Sequence, residues 1–229
     1  MTEIFYKLES KPKKAYLNIT SQCTNSCIFC RNNPEWERFS NLIFKDEEEP
    51  PILEIIGSLE KNLEKPENKS IEEIIFCGVG EPLRRFDDVL KIITEIKKYE
   101  KYDIKTRVNT NGQVKIWEKN PALRLKNAGL DAINISANAS DTISYNFLCN
   151  PRLIDDDITD DFAFNKIIDF IQDCKRVGLE TEITALKFPK EYFSNQPGIY
   201  KSILETEELA KRLGVKFRWR SYHGKELKI

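Results

Sequence analysis

The sequence has no long hydrophobic run, a single histidine and no excess of charge of either sign. No stretch of its 229 residues approaches the roughly 18 apolar residues that a membrane-spanning helix needs. The 36 basic and 37 acidic side chains nearly cancel, so no net field favours nucleic acid or an anionic membrane as the main partner. The first residues also lack the apolar segment of a signal peptide. We therefore expect a cytoplasmic protein.

The chain shows no internal repeat, low-complexity tract or linker that would divide it. Its length suits one domain, which we place over residues 1–229. Within it, residues 215–229 would form a closing strand and tail. The acidic run from Asp155 to Asp161 is interpreted as a solvated loop.

Strand and helix patterns alternate along the chain. Six strands are predicted, at residues 16–19, 74–77, 104–109, 132–136, 179–185 and 215–220. Five amphipathic helices fall between them. The first begins after Pro51, and the second has the apolar stripe Phe86, Leu90, Ile93 and Ile96. The third has Asn120 as its predicted N-cap and ends before Gly129, and the last two end before Gly178 and Gly214. Strict alternation predicts a parallel sheet, either an open doubly wound sheet or a barrel of βα units.

Within each strand, apolar and polar residues alternate. This pattern helps to decide between an open doubly wound sheet and a barrel. A sheet covered by helices on both faces would read as continuous apolar runs. One face must therefore meet something polar, as in a curved sheet with a wet interior. We predict an α/β fold with a partial (β/α)6 barrel of parallel strands, its interior lined by Asn18, Arg107, Asn134, Glu182 and Arg218. The excess of Lys105, Arg107, Arg218 and Arg220 over Glu180 and Glu182 on that face hints at an anionic substrate.

Three of the six cysteines lie close together just after the first predicted strand. Cys23, Cys27 and Cys30 have the spacing CxxxCxxC. Thiolates suit iron-sulfur clusters, and three of them on a four-iron cluster leave one iron open to another ligand. The alternative is a zinc site completed by His223. The other cysteines, Cys77, Cys149 and Cys174, are dispersed and predict no second cluster, and Cys174 continues an apolar helix stripe.

The motifs resemble those of a known family. CxxxCxxC with Phe29 before the last cysteine resembles the signature of the radical S-adenosylmethionine (SAM) superfamily. The segment from Cys77 to Pro82 resembles its Gly-Gly-Glu-Pro motif, with Val79 in place of a glycine. Further segments look like the TatD-family-associated radical SAM proteins; they are Val108 to Gly112, Asp131 to Ala139, Tyr145, Leu148 to Pro151 and Thr184 to Leu186.

The resemblance implies a [4Fe-4S] cluster and SAM as cofactors, with Cys23, Cys27 and Cys30 as ligands within a cluster-binding loop at residues 20–50. SAM would be cleaved reductively to methionine and a 5'-deoxyadenosyl radical, which abstracts hydrogen from a substrate. The substrate would be a small metabolite or nucleoside, or a partner protein activated by glycyl-radical formation. An electron donor such as flavodoxin or ferredoxin and a link to a TatD-like hydrolase are also implied.

The resemblance also implies roles for residues at the strand ends. Gly78, Gly80 and Glu81 would bind the methionyl ammonium of SAM. Ser136 and Asn138 would meet its carboxylate or ribose, although they could instead only cap the following turn. The remaining predicted SAM-binding residues are Asn109, Thr184 and, on the adenine side, Phe29. A non-catalytic iron-sulfur or zinc-binding module stays open as the alternative function.

Overall fold

The structure of the protein, a computed structural model, describes residues 3–31, 41–44, 49–99, 103–152, 162–223 and 227. The acidic run at residues 155–161 lies outside this part of the chain. One sheet holds seven strands; they are β1 (Phe5–Lys7), β2 (Lys14–Leu17), β3 (Glu73–Phe76), β4 (Lys105–Thr110), β5 (Ala132–Ser136), β6 (Glu180–Lys187) and β7 (Lys216–Ser221). The strands lie side by side in chain order.

The strands β2 to β7 are all parallel, which confirms the predicted partial barrel. The sheet is open, since in the described residues β7 pairs with β6 alone. The prediction missed β1, which pairs antiparallel with β2 and sets Phe5 opposite Leu17. A strand of three partly exposed residues carries too little periodicity to be recognised. The first predicted strand was also displaced, because β2 occupies residues 14–17 rather than 16–19.

Helices cover the outer face of the sheet. They are α1 (Ile28–Arg31), α2 (Ile52–Leu63), α3 (Phe86–Lys98), α4 (Pro121–Asn127), α5 (Thr142–Cys149), α6 (Phe162–Arg176) and α7 (Pro197–Leu213). The five predicted helices are present, whereas α1 and α5 were not predicted. Asn120 is the N-cap residue of α4, as predicted, but it has a left-handed conformation and its side chain makes no capping hydrogen bond. In the described chain no helix could cross a bilayer, because none combines the necessary length with the necessary apolarity.

The two faces of the sheet differ as the alternation predicts. On β4 the side chains of Thr106, Val108 and Thr110 are buried under the helices, whereas Arg107 and Asn109 point to the other face and are only half-buried. The apolar core therefore lies between the sheet and the helices. The inner face of the curved sheet is left for polar side chains.

Candidate functional site

Two loops are joined to each other by backbone hydrogen bonds. One, here called the cysteine loop, follows β2 and carries Cys23, Cys27 and Cys30; the other, here called the glycine-containing loop, follows β3 and runs from Cys77 to Pro82. Gly80 N donates to Thr20 O at 3.1 Å, and Glu81 N donates to Gln22 O at 2.8 Å. A Cβ atom on Gly80 would lie 2.5 Å from Gln22 O and 2.6 Å from Thr20 O. A glycine is therefore needed at position 80 for the two loops to approach this closely.

Asn18 does not line the barrel interior as predicted. Its side chain is fully buried and donates to Leu42 O at 2.7 Å and to Glu3 O at 3.2 Å. Its Oδ1 atom fills the space that a side chain at Gly78 would need. Strand alternation failed here because Asn18 follows the last residue of β2, where the chain leaves the sheet. The residue supports the start of the cysteine loop.

Glu81 joins the glycine-containing loop to the end of β4. Its buried carboxylate accepts hydrogen bonds from Leu83 N at 3.0 Å, the Thr110 hydroxyl at 2.7 Å and Asn111 N at 2.6 Å. Burial raises the pKa of Glu81 to about 7, and these three hydrogen bonds oppose the rise. The carboxylate thus already holds three donors of its own chain next to the cysteine loop.

The segment around α5 fixes the other side of the cysteine loop. The Tyr145 hydroxyl on α5 accepts from Asn25 Nδ2 and from Gln113 Nε2, both at 3.0 Å. Ser26 N donates to Cys149 O at 3.0 Å, and Arg152 N donates to Thr24 O at 2.7 Å. In the sequence Tyr145 stood out only as part of a family resemblance, and Cys149 as part of that resemblance and as a dispersed cysteine. The contacts show that this segment holds the cysteine loop in place.

Cys23, Cys27 and Cys30 form no disulfide with any described cysteine, and N–H groups point at the sulfur of Cys23. Cys23 Sγ accepts from Asn25 N at 3.4 Å and from Asn111 Nδ2 at 3.9 Å. Such donors stabilise sulfur that carries negative charge. Cys149, fully buried on α5, hydrogen-bonds with Cys27 through its thiol, and this contact together with burial raises the pKa of Cys27. Cys149 is thus next to the motif rather than remote from it.

A second group of polar side chains lies at the carboxyl ends of β5, β6 and β7. Ser136 Oγ and Thr184 Oγ1 are 3.4 Å apart, and Asn138 N donates to Thr184 O. Asn138 has a φ of 60°, so it has already left the strand and its direction does not follow from strand alternation. Its Oδ1 accepts from Arg220 Nη2 at 3.1 Å. The structure thus brings Ser136, Asn138 and Thr184 together and adds Arg220.

The inner face of the sheet encloses a cavity of about 570 Å³, here called the barrel cavity. Every strand contributes to its wall, for example through Tyr6, Tyr16, Ile75, Arg107, Asn134, Glu182 and Arg220. Cys77, Gly78 and Val79 border it, which places the cavity beside the glycine-containing loop. Asn109 lies in the same wall, and its Oδ1 is buried without a hydrogen-bond partner.

Two predicted inward residues lie elsewhere, and a third packs against an aromatic ring. Lys105 and Glu180 line a separate hollow near the amino ends of the strands, where the chain enters the sheet. Phe29 on α1 packs against Phe188, with ring centroids 5.8 Å apart. His223 is exposed at the end of the described C-terminal segment.

A family model described as the radical SAM superfamily matches residues 17–196. The chain belongs to this superfamily. A probable GTP 3',8-cyclase of Methanococcus maripaludis is 35% identical over 130 residues, which are 56% of this chain and 37% of that protein. A GTP 3',8-cyclase of Nautilia profundicola is 26% identical over 93% of this chain and 57% of its own length. The chain thus spans about a third to over a half of these relatives.

Among solved structures, Streptococcus suis SuiB bound to its precursor peptide SuiA superposes with a TM-score of 0.63 at 18% identity. The match covers 95% of this chain and 42% of SuiB. At this identity the likeness concerns the fold, and it agrees with the partial barrel described above.

The cofactors of radical SAM proteins are a [4Fe-4S] cluster and SAM, as the sequence predicts. The residues of the loop fit such a cluster, because three cysteines that form no disulfide among the described residues lie on one loop, with N–H donors directed at Cys23. In the described residues no three Cys, His, Asp or Glu side chains gather around a single ion. A four-iron cluster does not require that convergence, since each thiolate binds a different iron.

Proposed function

We propose that this radical SAM protein is an enzyme that removes a hydrogen atom from an anionic small molecule held in the barrel cavity. The observation that carries the proposal is the shared wall: Cys77 to Val79, next to the cysteine loop, border the same cavity as five basic side chains. When bound, the cluster and SAM supply the electron and the 5'-deoxyadenosyl radical that the reaction needs. The chain's own residues bind and orient the reactants.

The charges of the barrel cavity support an anionic substrate. Its five cations are Lys11, Lys14, Arg107, Arg218 and Arg220. Lys14 and Arg107 share Glu73, at 2.5 Å and 2.6 Å, and Arg218 pairs with Glu182 at 2.9 Å. Two carboxylates for five cations leave an excess of three positive charges. Such an excess in a concave site attracts anions.

The SAM-binding residues predicted from the sequence belong to this proposal. Gly78 and Gly80 let their loop pack closely against Asn18 and the cysteine loop, and Glu81 anchors it; we assign all three to the methionyl ammonium of SAM. The polar atoms of Ser136, Asn138 and Thr184 lie at neighbouring strand ends, within reach of one ligand. We assign Asn109 to the same ligand because its Oδ1 lacks a partner, and Phe29 to its adenine side.

A second, more specific candidate function takes a guanine nucleotide as the substrate. Two relatives carry the name GTP 3',8-cyclase, and one of them aligns with 93% of this chain. A triphosphate would match the cationic excess of the cavity. The test is whether the reduced, reconstituted protein consumes GTP only when SAM is present, and whether added GTP raises the rate at which 5'-deoxyadenosine forms above the rate with SAM alone.

Several expectations from the sequence remain predictions. These are the narrower resemblance to TatD-associated proteins, the link to a TatD-like hydrolase, the flavodoxin or ferredoxin donor, the cytoplasmic location, the single domain over residues 1–229 and the activation of a partner protein by glycyl-radical formation.

The proposal is tested by purifying the protein without oxygen, reconstituting it with iron and sulfide, and reducing it in the presence of SAM. We expect 5'-deoxyadenosine from the wild-type protein and none from Cys23→Ser, whereas Cys174→Ala, altered in the core on α6, keeps the activity. A full cluster that yields no 5'-deoxyadenosine would favour the non-catalytic module. Bound zinc without iron would contradict both functions.

A further inference from the structure

Arg220 differs from the other arginines of the barrel cavity in having no acidic partner. Arg107 and Arg218 each form an ion pair, with Glu73 and Glu182. For Arg220 the described part of the chain contains no carboxylate at ion-pair distance. Its Nη2 donates to the neutral Asn138 Oδ1, and its Nε is buried without a partner.

An unpaired guanidinium in this position is costly. Arg220 is half-buried and its Nε is fully buried, and this burial lowers the pKa of its guanidinium. Arginine nevertheless stays protonated in proteins, so it cannot escape the cost by losing its proton. A buried charge without a counter-charge destabilises a fold strongly, as the loss of one partner from a buried ion pair does. An anionic group of a ligand would remove this cost by supplying the counter-charge.

We propose that Arg220 binds a carboxylate or phosphate group of the ligand in the barrel cavity. The inference rests on the proposed function, since it names the chemistry that the same cavity recognises. A planar guanidinium matches both anions by donating two parallel hydrogen bonds, and Arg220 has its Nε free for this. Lys11, which lines the same cavity without an ion pair among the described residues, adds a second cation.

The strands at the other edge of the sheet, β1 and β2, indicate what the rest of the ligand is like. Tyr6 on β1 and Tyr16 on β2 stack with ring centroids 5.1 Å apart and border the cavity. The cavity therefore offers an aromatic wall at one end of the sheet and Arg220 at the other. A molecule with one anionic group and one apolar or planar part satisfies both ends.

The anion could come from the substrate or from the carboxylate of SAM, and binding measurements distinguish the two. The protein, reconstituted with its cluster and not reduced, is titrated with pyrophosphate, GTP, guanosine, SAM and 5'-methylthioadenosine, which lacks the amino acid part of SAM. In Arg220→Gln we expect at least about thirtyfold weaker binding of the anionic partner. Weaker GTP and pyrophosphate binding with unchanged guanosine binding assigns the anion to the substrate. Weaker SAM binding with unchanged 5'-methylthioadenosine binding assigns it to SAM.

Arg212→Gln is the matched control, since Arg212 is exposed near the end of α7, outside the barrel cavity. If Arg220→Gln does not fold, Arg220→Lys carries the test, because it keeps the charge and loses the paired donors; we expect intermediate weakening. The proposal is overturned if every affinity stays within about threefold of wild type, or if wild-type protein binds none of the anionic probes. A changed cluster potential with unchanged affinities would also overturn it. Since no turnover is measured, failure of 5'-deoxyadenosine formation would reject only the proposed function.

Discussion

Gly80 has no room for a side chain, because carbonyl oxygens of the cysteine loop surround its Cα. In Gly80→Ala the new methyl group would meet Gln22 O at 2.5 Å and Thr20 O at 2.6 Å. Both are backbone atoms, so the loops must separate. We expect the free energy of unfolding to fall by about 1–3 kcal/mol, measured by urea denaturation, and the reconstituted iron content to fall with it.

Gly57→Ala is the control for this substitution. Gly57 lies in α2 and is exposed, and a methyl group added to it would meet no other atom within 4 Å. Alanine there should raise the free energy of unfolding by about 0.5–1 kcal/mol, because it favours the helix. Equal effects of the two substitutions would show that the close approach at Gly80 has no energetic consequence.

Tyr145 connects α5 to the cysteine loop through one hydroxyl. In Tyr145→Phe, Asn25 Nδ2 and Gln113 Nε2 lose their shared acceptor. Loss of a buried acceptor leaves donors less well satisfied, so we expect a cost of about 1–2 kcal/mol in thermal or chemical unfolding. A double-mutant cycle with Asn25→Ala should give a coupling energy of at least about 0.5 kcal/mol. If the effects of the two substitutions on the free energy of unfolding were strictly additive, the hydrogen bond between Tyr145 and Asn25 would be contradicted.

At the scale of secondary-structure elements, the sequence predicted those whose apolar residues recur with a regular period. The parallel strands β2 to β7 and the long amphipathic helices have periodicities that a core face imposes. The helix α5 was not predicted, because it has only eight residues and buries polar Ser144 and Tyr145 as well as apolar side chains. Its contact with the cysteine loop, including the bridge between Asn25 and Pro151, joins residues far apart in the chain. No local pattern encodes that pairing.

The start of α5 depends on a charged cap. Asp141 accepts from Ser144 N at 2.9 Å and from the Ser144 hydroxyl at 3.0 Å. Partial burial raises the pKa of Asp141, but hydrogen bonds from Ser144 and Ser202 outweigh it and leave this pKa below its usual range. The cap therefore stabilises the fold fully above the unfolded pKa of about 3.9 and loses this effect as the pH falls through the lowered value.

Asp141→Ala should lower the free energy of unfolding at pH 7 by about 1 kcal/mol, the usual cost of losing an N-cap. Asp141→Asn keeps a capping oxygen, so its stability at pH 7 should stay close to that of the wild type. The two variants should both lose the part of the acid dependence that belongs to this carboxylate, as followed by urea denaturation between pH 7 and pH 3. Retention of the wild-type pH profile in both would contradict the capping role.

At the scale of the whole molecule, the curvature of the sheet decides which residues meet. Strand alternation predicted that Arg107, Asn134, Glu182 and Arg218 face inward, and all four line the barrel cavity. It could not predict that Tyr6 joins them, because β1 was not recognised. It also could not show which cations are paired, since Glu73 reaches Lys14 and Arg107 across neighbouring strands.

The cysteine loop receives hydrogen bonds from the glycine-containing loop, from the segment after β4 and from the segment after α5. A cluster that fixes this loop should therefore stabilise the whole chain, because a ligand that binds only the folded state adds its binding free energy to the free energy of unfolding. In a chain of this size each kcal/mol raises Tm by about 2–4 °C. We expect reconstitution to raise the Tm of the wild-type protein by at least about 5 °C under anaerobic calorimetry.

Two cysteine variants separate cluster binding from packing in that measurement. Cys23→Ser removes a cluster ligand on the loop and should abolish the rise in Tm. Cys174→Ala instead empties part of the core on α6, where Cys174 is fully buried. It should lower Tm in both states by an amount that corresponds to about 1 kcal/mol while the rise on reconstitution stays the same. If Cys23→Ser gains the full rise, the stabilising metal lies elsewhere; if Cys174→Ala loses it, the rise reports general packing rather than a cluster held by the loop.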